Sequence, residues 1–335
     1  FGENRILIKK GLEVLNLKKR IGLDELIKVA QVNGGKLLDT WNISFQIAPR
    51  LNAAGRMAHA NTAFELLVAK NREEAEGIAK NLNEKNVERQ VITEEIVKQV
   101  EEQIKEDDKI IIGICPEERG EEFWEEGVVG LVAGKITEKY YKPTLVITRC
   151  ESGLKGSGRS IEELNIIKTI EECGEFLSKF GGHPAACGFS LDSANFDNFA
   201  DKIREVASKK LAGADLRPKL KIEAELGLEE ISEALIGDIE KFGPFGQGND
   251  RPKFISRNVM VMDKMNMGVL GQHIKLRLKN DRSGIINAIG FGQSQHWNDL
   301  AIGDRIDIVY NLDLNEFNGR REAQMRIVDI MKCKI

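Results

Sequence analysis

The sequence predicts a mixed α/β domain followed by a small all-β barrel. Between residues 109 and 212, short apolar runs alternate with helical patterns, which is typical of an α/β fold. Between residues 219 and 330, five or six short strand-like runs are separated by turn signals such as Asn318-Gly319, which is typical of a barrel. A long polar helix pattern precedes both regions.

Residues 1 to about 60 read as helices and a loop. The segment that starts at Ile21 has the apolar spacing of a helix, whereas Ala48 to Arg56 is predicted to be a loop. A further periodic segment covers Thr62 to Val68. From Glu73 to Glu106 apolar residues recur at helical spacing with few helix breakers, so one long helix that bridges two domains is predicted.

The α/β region itself has three strand-like runs and three helical patterns. The predicted strands are 109–114, 144–148 and 189–191. Two helices are predicted over 127–140 and 194–211. Between them, Ser160-Ile161-Glu162-Glu163 has the spacing of a capping box and predicts a helix that runs to about Phe180.

After a linker at 212–218, the sequence changes from alternating strand and helix patterns to mostly strand-like runs. Strand-like runs follow at 219–226, 254–261, 273–278, 284–291, 305–312 and 323–330. One helix is predicted within 228–242. This pattern is the basis for the barrel.

Composition limits the classes of protein to consider. The 335 residues contain 41% hydrophobic and 30% charged residues, with no apolar run long enough to span a bilayer and no signal-peptide pattern. The 5 cysteines are scattered without a C-x-x-C pair, which favours a reducing cytoplasm over a disulfide framework or a zinc site. The net charge is −4, yet from Lys253 onward 13 basic residues face 9 acidic ones, and such local patches decide phosphate binding.

The segment from Phe180 to Ser190 combines two adjacent glycines, a histidine, a proline and several small residues. Gly181 and Gly182 permit close approach of a ligand to the backbone, and Pro184 suits the first turn of a short helix. Two interpretations stay open from these residues. The segment is either an anion cradle with His183 at its centre or a tight helix-to-strand turn with a buried histidine.

Two further segments carry candidate phosphate ligands. In Gly156-Ser157-Gly158-Arg159-Ser160, Ser157 and Arg159 offer a hydroxyl and a planar guanidinium, although a glycine-rich connection in which Ser160 caps a helix explains the segment equally well. Arg50 and Arg56 flank small residues and could clamp a phosphate, or Arg50 could pair with carboxylates of a neighbouring helix.

Other motifs favour structural roles. Phe242 and Phe245 lie in a turn-rich segment where packing at a junction is favoured over stacking on bases. The remaining histidines stand apart, and the sequence shows no clustered Asp and His residues of the kind that a two-metal hydrolase needs.

Together these motifs resemble the bacterial RecJ family, the single-stranded-DNA-specific exonucleases of the DHH phosphoesterase superfamily. The match is ordered and covers nearly the whole chain, through six segments: 1–5, 50–56, 127–143, 156–160, 181–190 and 242–249. The resemblance implies the tail of a DHH domain over 1–68, a connecting long helix over 69–108, a DHHA1 domain over 109–212 and an OB-fold nucleic-acid-binding domain over 213–335.

The resemblance also implies a function. Members of the family hydrolyse DNA from the 5′ end with two Mn²⁺ or Mg²⁺ ions, whose ligands would lie upstream of Phe1, so no metal ligand is expected on this chain. Ser157 and Arg159 would receive the 5′-terminal phosphate, with Gly181, Gly182, Arg50 and Arg56 also near phosphate. His183 would contact the scissile or adjacent phosphate as the catalytic residue. In the OB-fold, Lys275, Arg277, Arg320 and Arg321 would bind single-stranded DNA.

Further expectations follow from the same resemblance. The 335 residues alone are expected to bind DNA weakly without cleaving it, in the cytoplasm, with a single-stranded-DNA-binding protein as a plausible partner and no membrane association. Glu125 stands where the family usually has a histidine, which leaves any substrate contact there in doubt. Two alternatives remain: a DHH phosphoesterase for short oligonucleotides, which would normally lack the OB-fold, and a non-catalytic nucleic-acid-binding scaffold.

Overall fold

A computed structural model describes residues 2–17, 20–32, 37–57, 59–105, 107–117, 123–282, 284–317 and 320–333. It divides into two compact units: residues 13–218 form one, and residues 219–335 with the chain start up to Leu12 form the other. None of the described helices is both long and apolar enough to cross a membrane.

The first part of the chain is helical. Its helices are α1 (Glu3–Asn16), α2 (Ile21–Val29), α3 (Thr40–Asn42), α4 (Ala48–Met57), α5 (Asn61–Val68) and α6 (Arg72–Glu101). The long helix is confirmed as α6, which begins after Asn71, whose side chain accepts a hydrogen bond from the Glu74 amide at 2.8 Å. Its buried face includes Leu82 and Ile96.

The loop predicted for residues 48–56 is wrong, because this segment is the helix α4. A π-helical turn, Ile43–Ile47, comes directly before it, where Pro49 interrupts the regular hydrogen-bond ladder. Ala53 and Ala54 are buried, and α4 packs along α6. The small residues thus serve close helix packing.

A five-stranded sheet forms the centre of the α/β region. Its strands are β1 (Ile111–Ile114), β2 (Thr144–Cys150), β3 (Gly153–Arg159), β4 (Lys179–His183) and β5 (Ala186–Leu191). The spatial order is β1-β2-β3-β5-β4; β1 pairs with β2 in parallel and the other pairs are antiparallel. Helix α7 (Glu126–Tyr140) covers one face, and α8 (Ile166–Glu171) and α9 (Phe196–Lys210) cover the other.

Two local predictions in this region are corrected. The glycine-rich connection at 156–160 is mostly the strand β3, whose glycines face the core. The helix expected from Ser160 to about Phe180 is only α8, capped by Asn165, whose Oδ1 accepts from the Lys168 amide at 3.3 Å. Ser160 instead donates its hydroxyl to the Leu164 carbonyl at 2.7 Å.

The second unit contains the predicted barrel. Its strands are β6 (Ala224–Glu225), β7 (Phe254–Met267), β8 (His273–Lys279), β9 (Ile286–Gly290), β10 (Arg305–Phe317) and β11 (Arg320–Lys332), with the helix α10 (Glu233–Glu240). The order β7-β8-β9-β11-β10 closes because β10 also pairs with β7. In its core the Tyr310 hydroxyl lies 2.7 Å from Ser256 Oγ, and burial raises the pKa of Tyr310 to about 12.

Candidate functional site

Successive residues of strand β3 lie alternately on the core face of the sheet and on the face of the candidate site. Gly156 and Gly158 are buried against the core, whereas Ser157 and Arg159 are half-buried on the opposite face. Helix α7 passes over that face, where a Cβ built on Gly130 would lie 3.1 Å from both Ser157 Oγ and Arg159 Nη2. A glycine at this position therefore lets α7 run close beside the two polar side chains.

Pairing across the sheet places His183 on the same face as Arg159. Arg159 pairs with Ala186, which pairs with His183 on the edge strand β4. One row further, Ser157 pairs with Gly188, which pairs with Gly181. Directly paired residues share a face of a sheet, so a floor of glycine and alanine lies between the arginine and the histidine.

The segment around His183 is a β-hairpin, and the short helix predicted after Pro184 is wrong. Strands β4 and β5 are joined at Pro184 and Ala185, where the carbonyl of Pro184 accepts from the Ile166 amide at 3.0 Å. Gly182 adopts a φ of +155°, and a Cβ there would lie 2.3 Å from the Ala186 carbonyl oxygen. The proline stands in the turn, where the ladder needs no N–H.

His183 itself is exposed, in contrast to the buried histidine of one interpretation. Its Nδ1 accepts a hydrogen bond from the Ala185 amide at 3.3 Å. In a neutral imidazole this contact assigns the proton to Nε2, which is then a donor toward ligands on the open face.

Arg159 is held by its own strand. Its Nη1 donates to the Gly158 carbonyl at 2.8 Å and to Ser157 Oγ at 3.2 Å. Burial is the main cause that lowers the pKa of Arg159, and the nearby positive charge of Arg56 lowers it further. The guanidinium is therefore oriented, partly desolvated and close to a second cation.

Arg56 reaches this region from the end of α4, and Arg50 does not. Arg56 Nη1 donates to the Gly127 carbonyl at 2.7 Å, in the first turn of α7. Arg50 instead donates from Nε to Asn83 Oδ1 at 2.9 Å and from Nη1 to the Gln46 carbonyl at 2.6 Å. The structure thus brings Arg56 to Arg159 and directs two donors of Arg50 toward protein partners. Arg50 does bond a neighbouring helix, but through the amide of Asn83 and not through the carboxylates that the alternative expected.

The start of α7 is acidic, and Glu125 is exposed there. Its neighbour Glu126 pairs with Lys155 at 2.8 Å. Trp124 is buried and donates from its indole to Gln99 Oε1 at 2.9 Å. The Trp124 segment is therefore anchored structurally, and Glu125 makes no side-chain cap to α7.

The barrel candidates lie on the outer surface of the strands. On β8, Lys275 and Arg277 alternate with the buried Ile274, Leu276 and Leu278. Arg321 lies on β11, 3.6 Å from Glu316 on the paired strand β10. The side chain of Arg320 lies outside the described part of the chain.

The sequence did not predict a contact between the exposed ring of Phe291 and the guanidinium of Arg326 on this surface. Phe291 is 52% exposed, and the Arg326 guanidinium lies 5.4 Å from the centre of its ring. Lys275 and Arg326 both pair with Ile289 of β9, from opposite sides. These contacts join strands that are remote in sequence, and only the strand alternation around 286–291 hinted at them.

A second missed residue is Arg89, on α6. It lies near Arg56, whose positive charge contributes to lowering the pKa of Arg89, after burial as the main cause. In the sequence Arg89 belongs to the long polar helix pattern predicted from Glu73 to Glu106. No signal in that pattern distinguishes it.

Comparison with known proteins matches the two domains separately. The DHHA1 domain family matches residues 107–209, and the RecJ OB domain family matches residues 222–329. The chain is a RecJ-like region. The OB match also removes the support for a small-substrate phosphoesterase, for which no OB-fold was expected.

Relatives extend this likeness over nearly the whole chain. The single-stranded-DNA-specific exonuclease RecJ of Bacillus subtilis is 33% identical over 98% of the chain and 41% of its own length. RecJ of Dickeya dadantii is 30% identical over 97% of the chain and 57% of its own length. The crystal structure of Thermus thermophilus RecJ in complex with Mg²⁺ superposes with a TM-score of 0.83 and 25% identity, covering 100% of this chain and 50% of that one. The chain therefore spans about half the length of the curated relatives that it matches.

The likeness to metal-bound RecJ structures raises the question of a metal site. Among the residues that the structure describes, no three His, Cys, Asp or Glu side chains are grouped so that they could hold a metal ion. The side chains that the structure brings together on the sheet face are those of Arg56, Ser157, Arg159 and His183.

Proposed function

We propose that this chain binds single-stranded DNA, with a phosphate site on the α/β sheet and a strand-binding surface on the barrel. The observation that carries the proposal is the pair of rows Arg159–Ala186–His183 and Ser157–Gly188–Gly181 on one sheet face. The first row has a donor side chain at each end, the second has the Ser157 hydroxyl at one end, and the other residues of both rows have little or no side chain.

The sheet site suits a phosphate group for electrostatic reasons. Arg159, Ser157 and Arg56 supply a guanidinium, a hydroxyl and a second cation in a partly desolvated position, where charge-assisted hydrogen bonds are strong. Gly181 has open space on the side where a Cβ would stand, so a ligand can approach the backbone. Gly182 supports the hairpin, and Arg50 contributes less because two of its donors are engaged.

His183 is proposed to contact the scissile or adjacent phosphate through Nε2. Adjacent strands are about 4.8 Å apart, so the backbones of His183 and Arg159, two strands apart, are separated by roughly 10 Å. Both long side chains can therefore reach a ligand lying over Ala186 and Gly188. In this proposal Ser157 and Arg159 recognise the 5′ end of the DNA, and His183 orients the phosphate that reacts.

The barrel surface is proposed to hold bases and the DNA backbone together. Phe291 offers an exposed ring for stacking, with the Arg326 guanidinium over it, and Lys275 and Arg277 on β8 add positive charge to the outer surface of the barrel. The second and third strands of OB-folds commonly bind oligonucleotides, and here those strands are β8 and β9. Arg320 and Arg321, at the start of β11, extend the proposal along the same strand.

For the whole protein we propose 5′→3′ exonuclease activity on single-stranded DNA in repair and recombination. The family resemblance assigns Mn²⁺ or Mg²⁺ ions, which would supply the attacking hydroxide, to sequence outside the matched region. The 335-residue chain is then expected to bind without cleaving; Mn²⁺-dependent degradation that survives repurification would contradict this. The division into 1–68, 69–108, 109–212 and 213–335, a cytoplasmic location and a single-stranded-DNA-binding protein as partner belong to the same proposal.

The direct test compares oligonucleotides with and without a 5′-phosphate. Fluorescence anisotropy with a 3′-labelled single strand should show tighter binding of the phosphorylated form. Arg159→Ala should weaken that form by at least tenfold and remove the preference, because one charge-assisted hydrogen bond contributes roughly 1.5–3 kcal/mol.

The matched control is Lys168→Ala, which removes an exposed positive charge from α8. It should leave the preference intact. Equal affinity of the unaltered chain for both strands, or an unchanged preference in Arg159→Ala, would remove Arg159 from a phosphate site. Nuclease assays of the whole protein with the same variants separate the exonuclease from a non-catalytic scaffold.

A further inference from the structure

Arg89 differs from the other arginine on its helix in how its charge is compensated. Arg72, at the start of α6, lies 2.6 Å from Glu25 and 3.4 Å from Asp24. Arg89 has no carboxylate within ion-pair distance among the described residues, and neither do Arg56 and Arg159. Three arginines from three elements thus lie in one region of the fold without a negative partner from the described protein.

The hydrogen bonds of Arg89 leave much of its guanidinium unused. Nη2 donates to Asn86 Oδ1 at 2.8 Å, and Asn86 is itself buried. Nε is buried without a hydrogen-bond partner. A buried donor left unpaired costs roughly 1–3 kcal/mol. The free protein therefore contains a guanidinium with a buried donor that no described protein group satisfies.

Helix packing explains how Arg89 comes close to Arg56. The hydrogen bond from Arg50 to Asn83 joins α4 to α6 at 2.9 Å. Arg56 and Arg89 each follow that contact by the same number of residues along their own helices. Arg56 in turn bonds the first turn of α7, which passes beside Ser157 and Arg159. The three guanidinium groups are therefore linked through contacts from α6 to β3.

We infer that Arg89 is a third arginine of the phosphate site, and that a phosphate of the DNA supplies the missing negative charge. The inference rests on the proposed function and adds a residue that the motifs did not contain. Asn86 fixes the orientation of the guanidinium, so that little side-chain entropy is lost when the anion binds. The phosphate is either the 5′-terminal monoester or an internal diester, which carry the same recognition chemistry.

The test uses Arg89→Gln, which retains a donor toward Asn86 and removes the charge, and Arg89→Lys, which retains the charge. The control is Lys98→Gln, an exposed cation on the opposite side of α6. Anisotropy with 3′-labelled strands should show about tenfold weaker binding of DNA in Arg89→Gln, partial recovery in Arg89→Lys and no change in Lys98→Gln. A loss restricted to the 5′-phosphorylated strand assigns the terminal phosphate, and an equal loss with the 5′-hydroxyl strand assigns an internal one.

A stability measurement separates binding from a structural role. Without DNA, Arg89→Gln should be as resistant to urea as the unaltered chain or more so, because it relieves repulsion among the arginines. A clear loss of stability would overturn the inference, and so would unchanged DNA binding in Arg89→Gln while Arg159→Ala loses the 5′-phosphate preference. If the unaltered chain shows no such preference, the proposed phosphate site fails first.

Discussion

The sheet site and the barrel surface present positive charge in opposite ways. On the sheet, the arginines come from separate elements, lie half-buried, and have no carboxylate partner in the described parts of the chain. On the barrel, Arg277 stands across from Asp263, Arg321 lies near Glu316, and Arg326 lies over the exposed ring of Phe291. The first arrangement is concentrated and partly desolvated, and the second is spread out and solvated.

This difference teaches what each surface can recognise. Charges in a partly desolvated site interact strongly and depend on geometry, which suits discrimination of one phosphate group. Exposed cations with an aromatic ring bind any single strand with little sequence preference, and salt weakens their binding. The following experiments separate or sharpen the two modes, beginning with the largest expected effect.

Gly127→Ala should damage the sheet site most. Its Cβ would lie 2.4 Å from the Arg56 carbonyl oxygen, which belongs to backbone and cannot move independently. Forcing α4 away from α7 should cost about 3 kcal/mol of the free energy of unfolding and displace Arg56. Urea unfolding and the 5′-phosphate preference should both decline, while the barrel still binds the strand.

The matched control for this change is Gly134→Ala on the same helix. A Cβ at Gly134 meets no atom within 4 Å, so the alanine should stabilise the helix by about 0.5–1 kcal/mol. If Gly127→Ala were equally harmless, the close contact of α4 with α7 would not be needed for the site.

Phe291→Ala should produce the complementary result on the barrel. Loss of one stacked base costs roughly 1–3 kcal/mol, so the affinity for single strands should decline by at least fivefold. The decline should be the same with and without a 5′-phosphate, because the ring is proposed to stack on a base and not to contact the 5′ end of the DNA. Anisotropy with both strands measures this.

Phe242→Ala provides the comparison for Phe291. Phe242 is 63% exposed in the same unit, and among the described contacts no cation lies over its ring. Its removal should change DNA affinity little. Greater loss in Phe242→Ala than in Phe291→Ala would place base stacking in the turn-rich segment and not on the barrel face.

The sequence predicted the order of the elements better than the meaning of its glycines. Alternating apolar runs identified the sheet and the barrel because burial imposes those periods. Gly156 and Gly158 were interpreted as a connection, yet a Cβ on Gly156 would lie 2.1 Å from Phe189 Cζ and one on Gly158 would lie 2.6 Å from Cys187 Sγ. These glycines serve packing across the sheet, which no local pattern can indicate.

The candidate site shows the same limit. Ser157, Arg159 and His183 were identifiable because motifs carry them, and the sheet register brings them to one face. Arg89 lies in a helix whose charges resemble a solvated surface, and Phe291 acquires its cation from a distant strand. Residues that gain their role from tertiary neighbours alone leave no signal in their own segment.

Alkaline pH should weaken the sheet unit before the barrel. Burial raises the pKa of the Cys173 and Cys187 thiols from 9.0 to about 11. As the pH rises, these thiols therefore ionise first in the unfolded chain. Their contribution to the free energy of unfolding is complete below pH 9 and is lost as the pH rises to 11. At pH 10 each thiol should cost about 1 kcal/mol. Tyr310 titrates about one unit higher in both states, so the barrel loses less at this pH.

Urea unfolding at pH 8, 9 and 10 measures this dependence. A Trp297→Phe variant restricts tryptophan fluorescence to Trp41 and Trp124 in the sheet unit. Cys187→Ala should lower stability at pH 8 and flatten the decline toward pH 10. An equally steep decline in that variant would show that other groups cause the alkaline effect.

The smallest expected effect tests the solvated character of the barrel surface. Lys275→Gln removes one cation that we propose contacts an internal phosphate, so the slope of log affinity against log salt should fall by about 0.7 for a single strand. The change should be equal with and without a 5′-phosphate, and affinity at moderate salt should decline only a few-fold. Lys241→Gln, which removes an exposed cation paired with Asp238 at 2.6 Å, should leave the slope unchanged. If both variants change the slope equally, the barrel attracts DNA through its overall electrostatic field and not through Lys275 itself. The distinction between a concentrated and a distributed site then depends on Arg159 and Arg89 alone.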